Sequence, residues 1–182
     1  DFPIESKEHF IQWMGQHYKL VEHSTRILAL YCGLTPTEEK ANFSHLKEEM
    51  GHEKILLNDG KKFGQDLREF PKGPAASALI SAVYGDMMKK SKESCLGYVL
   101  LLEGLSLTSV PKLAKRVSDT YGKDKGTFLT VHIEADETHF PEGIAKVEKL
   151  APKLQKEIIE TLKYTAFLYE SLIIQAKRMA DD

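Results

Sequence analysis

Apolar side chains recur every three or four residues through most of the chain, which is the period of one face of an α-helix. The first segment with this spacing covers about residues 5–32 and is followed by Gly33, a residue type that often ends a helix. Its apolar positions are Phe10, Trp13, Met14, Tyr18, Val21, Ile27, Leu28 and Tyr31. No segment shows the apolar–polar alternation that predicts a β-strand, so we predict an entirely helical chain.

Prolines and glycines divide the rest of the chain into five further predicted helices. The second begins with the capping sequence Thr35 to Glu38 and is predicted to run without a break to about Gly60 or Gly64. An interruption follows at residues 70–74, where two prolines flank a glycine. The later helices are predicted at about residues 74–90, 92–121 with a kink at Pro111, 124–139 with a continuation beyond Pro141 to about Leu150, and 152–179.

The helices are predicted to belong to one domain. A chain of 182 residues is long enough to enclose a sizeable core, and no glycine- and serine-rich linker or low-complexity segment divides it. The fold class predicted for residues 1–182 is therefore all-α, a single bundle of about six to seven helices.

Composition and charge narrow the possible functions. Hydrophobic residues make up 42% of the chain and charged residues 29%, which is typical of soluble globular proteins. The formal net charge is −2 without a basic stripe, which argues against nucleic acid as a partner. Neither a bilayer-spanning apolar run nor a signal peptide is visible. We expect a cytoplasmic protein that binds a small molecule and no membrane, and exposed aromatic residues on the apolar first helix favour a homodimer.

One seven-residue pattern of potential metal ligands occurs twice. It is H-x-x-x-E-x-x-H at His45, Glu49 and His52, and H-x-x-x-D-x-x-H at His132, Asp136 and His139. Positions i, i+4 and i+7 share one face of a helix, so each triad is predicted to direct two imidazoles and a carboxylate the same way. Two such faces turned together would form a metal site. The alternatives are a solvated helix face for the first triad and buried, hydrogen-bonded histidines for the second.

The residues next to the first triad lead to two further expectations. Gly51 has poor helix propensity and is predicted to permit close approach by another helix or by a substrate. Lys47, Glu48 and Lys54 are predicted to point away from the site.

Glu103 is the third candidate element because it lies in one of the most apolar stretches of the chain, residues 96–105. Burying an unpaired carboxylate costs several kcal/mol unless a metal or a partner compensates it. Lys92 and Lys112 are too distant along the predicted helix to do so, which leaves a metal or an ion pair with a remote Arg or Lys. Gly97 and Gly104 in the same stretch predict tight helix contacts.

Together these residues offer three carboxylates and up to four imidazoles. Neither Cys32 nor Cys95 has metal-binding spacing, which argues against a closed structural zinc site, and no disulfide framework is expected. Mixed imidazole and carboxylate ligands suit iron or manganese, and this many ligands could serve two metal ions. Glu103 and Asp136 are the natural bridging candidates, and iron with open positions would bind dioxygen.

Three of these segments, in this order, resemble a known family. They are H-x-x-E-E-x-G-H-E at residues 45–53, L-G-Y-x-x-x-L-E-G at 96–104 and F-L-x-x-H-x-x-x-D-x-x-H at 128–139. They resemble the heme-oxygenase-like superfamily, and within it the iron-containing redox enzymes grouped with TENA-like proteins. This resemblance implies a seven-helix bundle with a non-heme iron site, often of two irons, that oxidises small molecules such as fatty acids or amino acids. The ligands it implies are Glu49, His52, Glu103, His132, Asp136 and His139.

The resemblance leaves alternatives open. His45 matches a position where some relatives use a carboxylate, so it is either a ligand or a partner of the ligands. Another branch comprises metal-free TENA-type enzymes, either thiaminases or quinone-cofactor synthases, and a non-catalytic metal-binding protein could use the same fold. Outside the triads, His9, His17 and His23 are predicted to be exposed or structural. Tyr164 and Tyr169 are predicted to pack in the core, with pocket lining as the alternative.

Overall fold

A computed structural model describes residues 2–35 and 40–182, and within these ranges the chain is helical without β-strands. The eight helices are α1 Lys7–Gly33, α2 Lys40–Glu49, α3 His52–Lys62, α4 Pro74–Lys89, α5 Cys95–Thr108, α6 Val110–Tyr121, α7 Thr127–Glu148 and α8 Pro152–Asp181. Helices α2 and α3 together match the second predicted helix, and α5 and α6 together match the fourth. The eight helices therefore correspond to the six that the sequence predicted. The prediction of an all-α bundle is confirmed.

The core lies where α8 packs against α1, α4 and α5, and where α5 packs against α7. Its largest fully buried side chains include Phe10, Leu79, Tyr98, Ile158 and Leu172. Each such aliphatic or aromatic side chain stabilises the fold by roughly 1.5–3 kcal/mol relative to exposure. Helix α5 is therefore central, and any polar group on its inner face needs a partner there.

Gly97 sets the distance between α5 and α8, as the sequence predicted. A Cβ atom at this position would lie 2.3 Å from the carbonyl oxygen of Ile158 and 2.6 Å from the amide nitrogen of Leu162. At Gly104 a Cβ would lie 3.2 Å from the ring of Phe140 on α7. Both glycines thus allow α5 to approach its neighbours closely.

The prediction of one uninterrupted second helix is wrong. Helix α2 ends at Glu49, and α3 begins at His52 after Gly51, whose φ of 102° lies in the left-handed region that favours glycine. Among the described residues, apart from its two chain neighbours, no atom lies within 4 Å of a Cβ built on Gly51, so this glycine permits a turn rather than the close approach that we expected. The predicted capping sequence includes residues 36–39, which lie outside the described residues.

The two internal prolines behave differently. Pro111 is in the first turn of α6, just after a bend of 54° between α5 and α6, close to the predicted kink. Helix α7 continues through Pro141 to Glu148, so the predicted break there is wrong. Pro141 removes one backbone hydrogen bond, and the contacts of α7 with α5 hold the helix together across it.

Membrane-spanning criteria are not met by any single helix in the described ranges. The bent pair of Lys92–Thr108 and Val110–Tyr121 meets the length and composition requirements only when its two parts are taken together.

Candidate metal centre

The structure brings all seven predicted side chains together between α2, α3, α5 and α7. They form three overlapping groups in which the potential ligand atoms lie within 4.8 Å of one another. The groups are His45, Glu49 and His139; Glu49, His52 and His132; and Glu103, Asp136 and His139. We refer to these seven residues as the ligand cluster. Its first triad spans two helices, because Gly51 separates the end of α2 from the start of α3.

The turn at Gly51 places Glu49 and His52 side by side. Glu49 Oε2 lies 3.2 Å from His52 Nδ1, which in turn lies 3.2 Å from His132 Nε2. The Nδ1–H of His132 donates a hydrogen bond of 2.8 Å to the carbonyl oxygen of Phe128. This bond leaves the Nε2 lone pair of His132 directed into the cluster, which is the orientation of a metal ligand.

His139 is oriented by a residue that we expected to point away. Its Nε2–H donates a hydrogen bond of 2.7 Å to Oε2 of the exposed Glu48. Its Nδ1 is buried without a hydrogen bond, 3.4 Å from Asp136 Oδ1 and 4.0 Å from Glu49 Oε1. Asp136, and then Glu48, raise the pKa of His139 to about 9 despite its burial. A metal ion at Nδ1 would replace the proton that these carboxylates otherwise favour.

Glu103 is the most poorly compensated carboxylate of the cluster. It is 5% exposed, and neither of its oxygens makes a hydrogen bond to the described residues. Its nearest ionisable nitrogen is His45 Nε2 at 3.4 Å, and within the ranges described no Lys or Arg forms the alternative ion pair. Burial, followed by repulsion from Asp136, raises the pKa of Glu103 to about 8.

His45 lies on the inner side of the cluster. Besides its contact with Glu103, its Nε2 is 4.0 Å from Glu49 Oε1, and its ring centroid is 4.5 Å from that of His139. Burial lowers the pKa of His45, so its neutral form is favoured. The position is compatible with metal ligation and with a hydrogen bond to a ligand carboxylate.

Glu49 is the most central carboxylate. Burial alone would raise its pKa, but the contact with His52 and the neighbouring imidazoles outweigh it, so the pKa is lowered and the ionised form is favoured. Its Oε1 faces His45 and His139, whereas its Oε2 faces His52. The two oxygens therefore address different parts of the ligand cluster.

An inner cavity adjoins the ligand cluster. Its volume is about 80 Å³, and part of its wall is formed by Glu49, Glu103, His132 and Asp136. The remainder of the wall is mostly apolar and includes Val21, Leu28, Val99, Leu102, Leu105 and Leu129. His17 and Tyr169 also line it, so Tyr169 follows the alternative expectation of a pocket residue. His17 is buried, which leaves a structural role or a role in the cavity.

A larger outer cleft of about 560 Å³ lies beside the inner cavity. The two share four wall residues, Trp13, Leu105, Val110 and Tyr169. The outer cleft also carries the cationic side chains Lys112 and Arg116 and the acidic side chain Glu170. The two spaces are therefore neighbours on either side of a shared wall.

A family model described as iron-containing redox enzyme matches residues 11–170. This match spans α1 to most of α8 and includes every residue of the ligand cluster. No functionally curated protein is significantly similar in sequence.

Three solved structures share the fold. A domain of unknown function with a heme oxygenase-like fold from Shewanella denitrificans OS217 is 18% identical with a TM-score of 0.88, over 100% of this chain and 86% of that one. A TenA homolog from Pseudomonas syringae pv. tomato DC3000 is 16% identical with a TM-score of 0.72, over 96% and 80%. A CADD-like protein of unknown function from Nostoc punctiforme PCC 73102 is 16% identical with a TM-score of 0.70, over 96% and 81%.

Proposed function

Because the chain belongs to the family of iron-containing redox enzymes, we propose that the ligand cluster binds iron and that the protein uses dioxygen to oxidise a small organic molecule. The observation that carries this proposal is the pair of Glu103 oxygens, which are buried without hydrogen bonds to the described residues. Close to them His139 Nδ1 is also buried without a hydrogen bond, 3.4 Å from Asp136 Oδ1. Burying such groups is costly unless a partner satisfies them. A bound cation would supply that partner for all three atoms.

The donor set supports iron. The cluster combines four imidazoles with three carboxylates and contains no thiolate, which argues against a closed structural zinc site. Mixed nitrogen and oxygen ligands suit iron, and manganese is the alternative ion.

We propose two iron ions, because seven donor side chains exceed the needs of one. Two residues, Glu49 and His139, each belong to two of the three groups. His139 has one nitrogen occupied by Glu48, whereas Glu49 can offer one oxygen to each ion. The sequence suggested Glu103 and Asp136 as the residues shared by the two ions. The contacts instead favour Glu49 as the residue that would be shared.

The contribution of the protein itself is orientation and exclusion of water. The Phe128 carbonyl orients His132, and Glu48 orients His139, so that each imidazole presents one lone pair to the cluster. The apolar wall of the inner cavity would hold a substrate beside these groups and exclude water from it. When bound, two ferrous ions would supply two of the four electrons that reduce dioxygen to water, and the oxidised substrate would supply the other two.

The test is anaerobic titration of the metal-free protein with Fe(II), followed by exposure to oxygen with absorbance recorded throughout. We expect binding of about two ions per chain and a transient visible band after oxygen. Glu103→Ala or His132→Ala should abolish that band.

The matched control for Glu103 is Glu157→Gln, since Glu157 also has a buried oxygen without a hydrogen bond but lies on α8 outside the cluster. The Glu157→Gln variant should bind Fe(II) like the unmodified protein and give the same visible band. Absence of binding, or binding that is indifferent to the Glu103 and His132 substitutions, would contradict the proposal.

The second candidate is a metal-free enzyme of the TENA type, which the likeness to a TenA homolog and the enclosed cavity favour. Its thiaminase form requires a nucleophilic cysteine. Cys32 and Cys95 are both buried and neither lines the inner cavity, and burial raises the pKa of Cys95 to about 12. These observations favour the iron-dependent function. The adjoining cavity likewise favours catalysis over a purely metal-binding role.

A further inference from the structure

His17 is a buried imidazole enclosed by aromatic rings in the wall of the inner cavity. The Trp13 ring stacks on it at 5.0 Å between centroids, and Phe128 and Tyr169 meet it edge-on at 5.5 and 5.8 Å. No carboxylate forms an ion pair with it within the described part of the chain. Burial, with a smaller effect of His132, lowers the pKa of His17 to about 3. The side chain is therefore a neutral imidazole.

The hydrogen bond of Tyr169 defines which nitrogen of His17 carries the proton. The Tyr169 hydroxyl lies 3.3 Å from His17 Nδ1. A phenol is a stronger acid than a neutral imidazole, and an imidazole nitrogen is a stronger base than a phenol oxygen, so Tyr169 donates this bond to His17 Nδ1. In the neutral imidazole the remaining proton is then on Nε2.

The Nε2–H of His17 is available to a ligand. It makes no hydrogen bond to any residue in the ranges that the structure describes, and His17 lines the inner cavity. Phe128 connects it to the ligand cluster, with its ring 5.5 Å from His17 and 4.1 Å from His132. A molecule bonded to His17 would therefore extend along the cavity beside the cluster.

The distribution of charge separates the inner cavity from the outer cleft. Lys112 and Arg116 line the outer cleft, whereas the described residues that line the inner cavity include no Lys or Arg. A ligand anion at the His17 end of the inner cavity would have no Lys or Arg among the described wall residues to stabilise it. A neutral acceptor atom would need only the Nε2–H donor.

We propose that His17 determines substrate specificity by donating a hydrogen bond from Nε2, and that the substrate is a largely apolar molecule with an uncharged acceptor such as a carbonyl or ether oxygen. This inference rests on the proposed function, since it names the substrate class of the same site. Tyr169 and Trp13 act as positioning residues, because they fix the tautomer and plane of the imidazole.

The test uses the metal-free chain of residues 1–182 and two small probes of nearly equal shape. These are butyl methyl ketone and the alkene in which a CH₂ group replaces its carbonyl oxygen, and binding is followed by NMR titration. We expect the ketone to bind the unmodified protein more tightly than the alkene. His17→Phe, which keeps an aromatic ring, should weaken ketone binding about tenfold and leave alkene binding unchanged.

The chain contains a matched control for this substitution. His23 Nδ1 lies 3.4 Å from the Tyr84 hydroxyl, and the rings meet edge-on at 6.0 Å, much as His17 meets Tyr169. His23 does not line the inner cavity. His23→Phe should therefore bind both probes like the unmodified protein.

A measurement on the unmodified protein covers the case in which His17→Phe fails to fold. With ¹⁵N-labelled histidine, the ketone should shift the Nε2 resonance of His17 and the alkene should not. Equal affinity for both probes, an unchanged affinity in His17→Phe, or tighter binding of hexanoate than of the ketone would overturn the proposal. Since no iron is present, these outcomes are independent of the Fe(II) titration, and a failure of either proposal is identifiable by itself.

Discussion

The Glu103 carboxyl group gives the metal-free protein a pH dependence with a definite sign. Its pKa is about 8 in the folded chain, against an ordinary value of 4.5. Between these values the folded state retains a proton that the unfolded state has lost, so the free energy of unfolding falls as pH rises. We expect the titration of Glu103 to lower the free energy of unfolding by roughly 2–4 kcal/mol between about pH 5 and pH 9. The Glu103→Gln variant should lack this decrease.

The measurement is urea denaturation of both proteins at several pH values. His139 titrates in the upper part of the same window, because its pKa is raised to about 9, partly by Glu103. The difference between the two proteins therefore reports Glu103 together with its effect on His139. Glu157→Gln is the control and should follow the unmodified protein. A Glu103→Gln variant with the same pH slope as the unmodified protein would be inconsistent with a buried, uncompensated carboxyl group.

At the residue scale, the sequence predicted the seven side chains that the structure brings together but missed the contact of Glu48 with His139 and the place of His17 in the cavity wall. Glu103 was detectable because a carboxylate in an apolar stretch requires an explanation. Glu48 was assigned to the outside, because adjacent helical residues point about 100° apart, and it is exposed, yet its carboxylate reaches His139 Nε2. Its bond to His139 of α7 depends on how two distant segments pack. The role of His17 likewise follows from three rings contributed by α1, α7 and α8.

At the scale of elements, the turn between α2 and α3 determines whether Glu49 and His52 can act together. Gly51 has a φ of 102°, where a side chain is strained by roughly 1–2 kcal/mol. Gly51→Ala should favour a continuous helix, rotate His52 away from Glu49 and His132, and weaken Fe(II) binding about tenfold or more. Anaerobic Fe(II) titration measures this loss.

Gly85→Ala is the matched control. Gly85 lies inside α4, its Cβ would meet no atom within 4 Å, and its φ is not positive. This substitution should raise stability by about 0.5–1 kcal/mol through better helix propensity and leave iron binding unchanged. Iron affinity equal in the two variants would show that the geometry of the turn is not required.

The elements show where local sequence rules suffice. Pro152 is in the first turn of α8, and α1 ends at the predicted Gly33, because these rules depend on a few adjacent residues. Pro141 and Gly51 were misjudged for opposite reasons. At Pro141 the packing of α7 against α5 keeps the helix intact where the local rule predicted a break. At Gly51 the chain makes a turn that brings Glu49 and His52 together, and the helix propensity of glycine is only a weak signal for such a turn.

At the scale of the whole molecule, iron is expected to connect three parts of the bundle that the metal-free chain joins by packing and by hydrogen bonds such as those of His139 to Glu48 and of His52 to His132. The ligand cluster draws on the α2–α3 pair, α5 and α7. A ligand that binds only the folded state at about 100 times its Kd stabilises it by about 2.7 kcal/mol. We expect Fe(II) to raise the free energy of unfolding by this amount under anaerobic conditions, as measured by urea denaturation.

Glu103→Ala provides the comparison for this experiment. Its metal-free form should fold, because a raised pKa means that the ionised carboxylate does not stabilise the fold. It should gain little stability from Fe(II). An equal gain in both proteins would place the iron elsewhere on the chain.

The architecture of the whole molecule was accessible from the sequence because helical periodicity covers nearly every segment. Its assembly was less accessible. The homodimer and the cytoplasmic location stay predictions, and the stated basis for the dimer was wrong, since Phe10, Trp13, Tyr18 and Tyr31 of α1 are buried. The large exposed apolar side chains include Met88 of α4 and Phe167 and Ile174 of α8.

The position of Trp13 in the wall shared by the inner cavity and the outer cleft has a practical consequence. It is the single tryptophan of the chain, so indole fluorescence originates from one known place. Its ring stacks on His17 and lines both the inner cavity and the outer cleft. We therefore expect the intrinsic emission of the protein to change when a molecule occupies either space, without any added label.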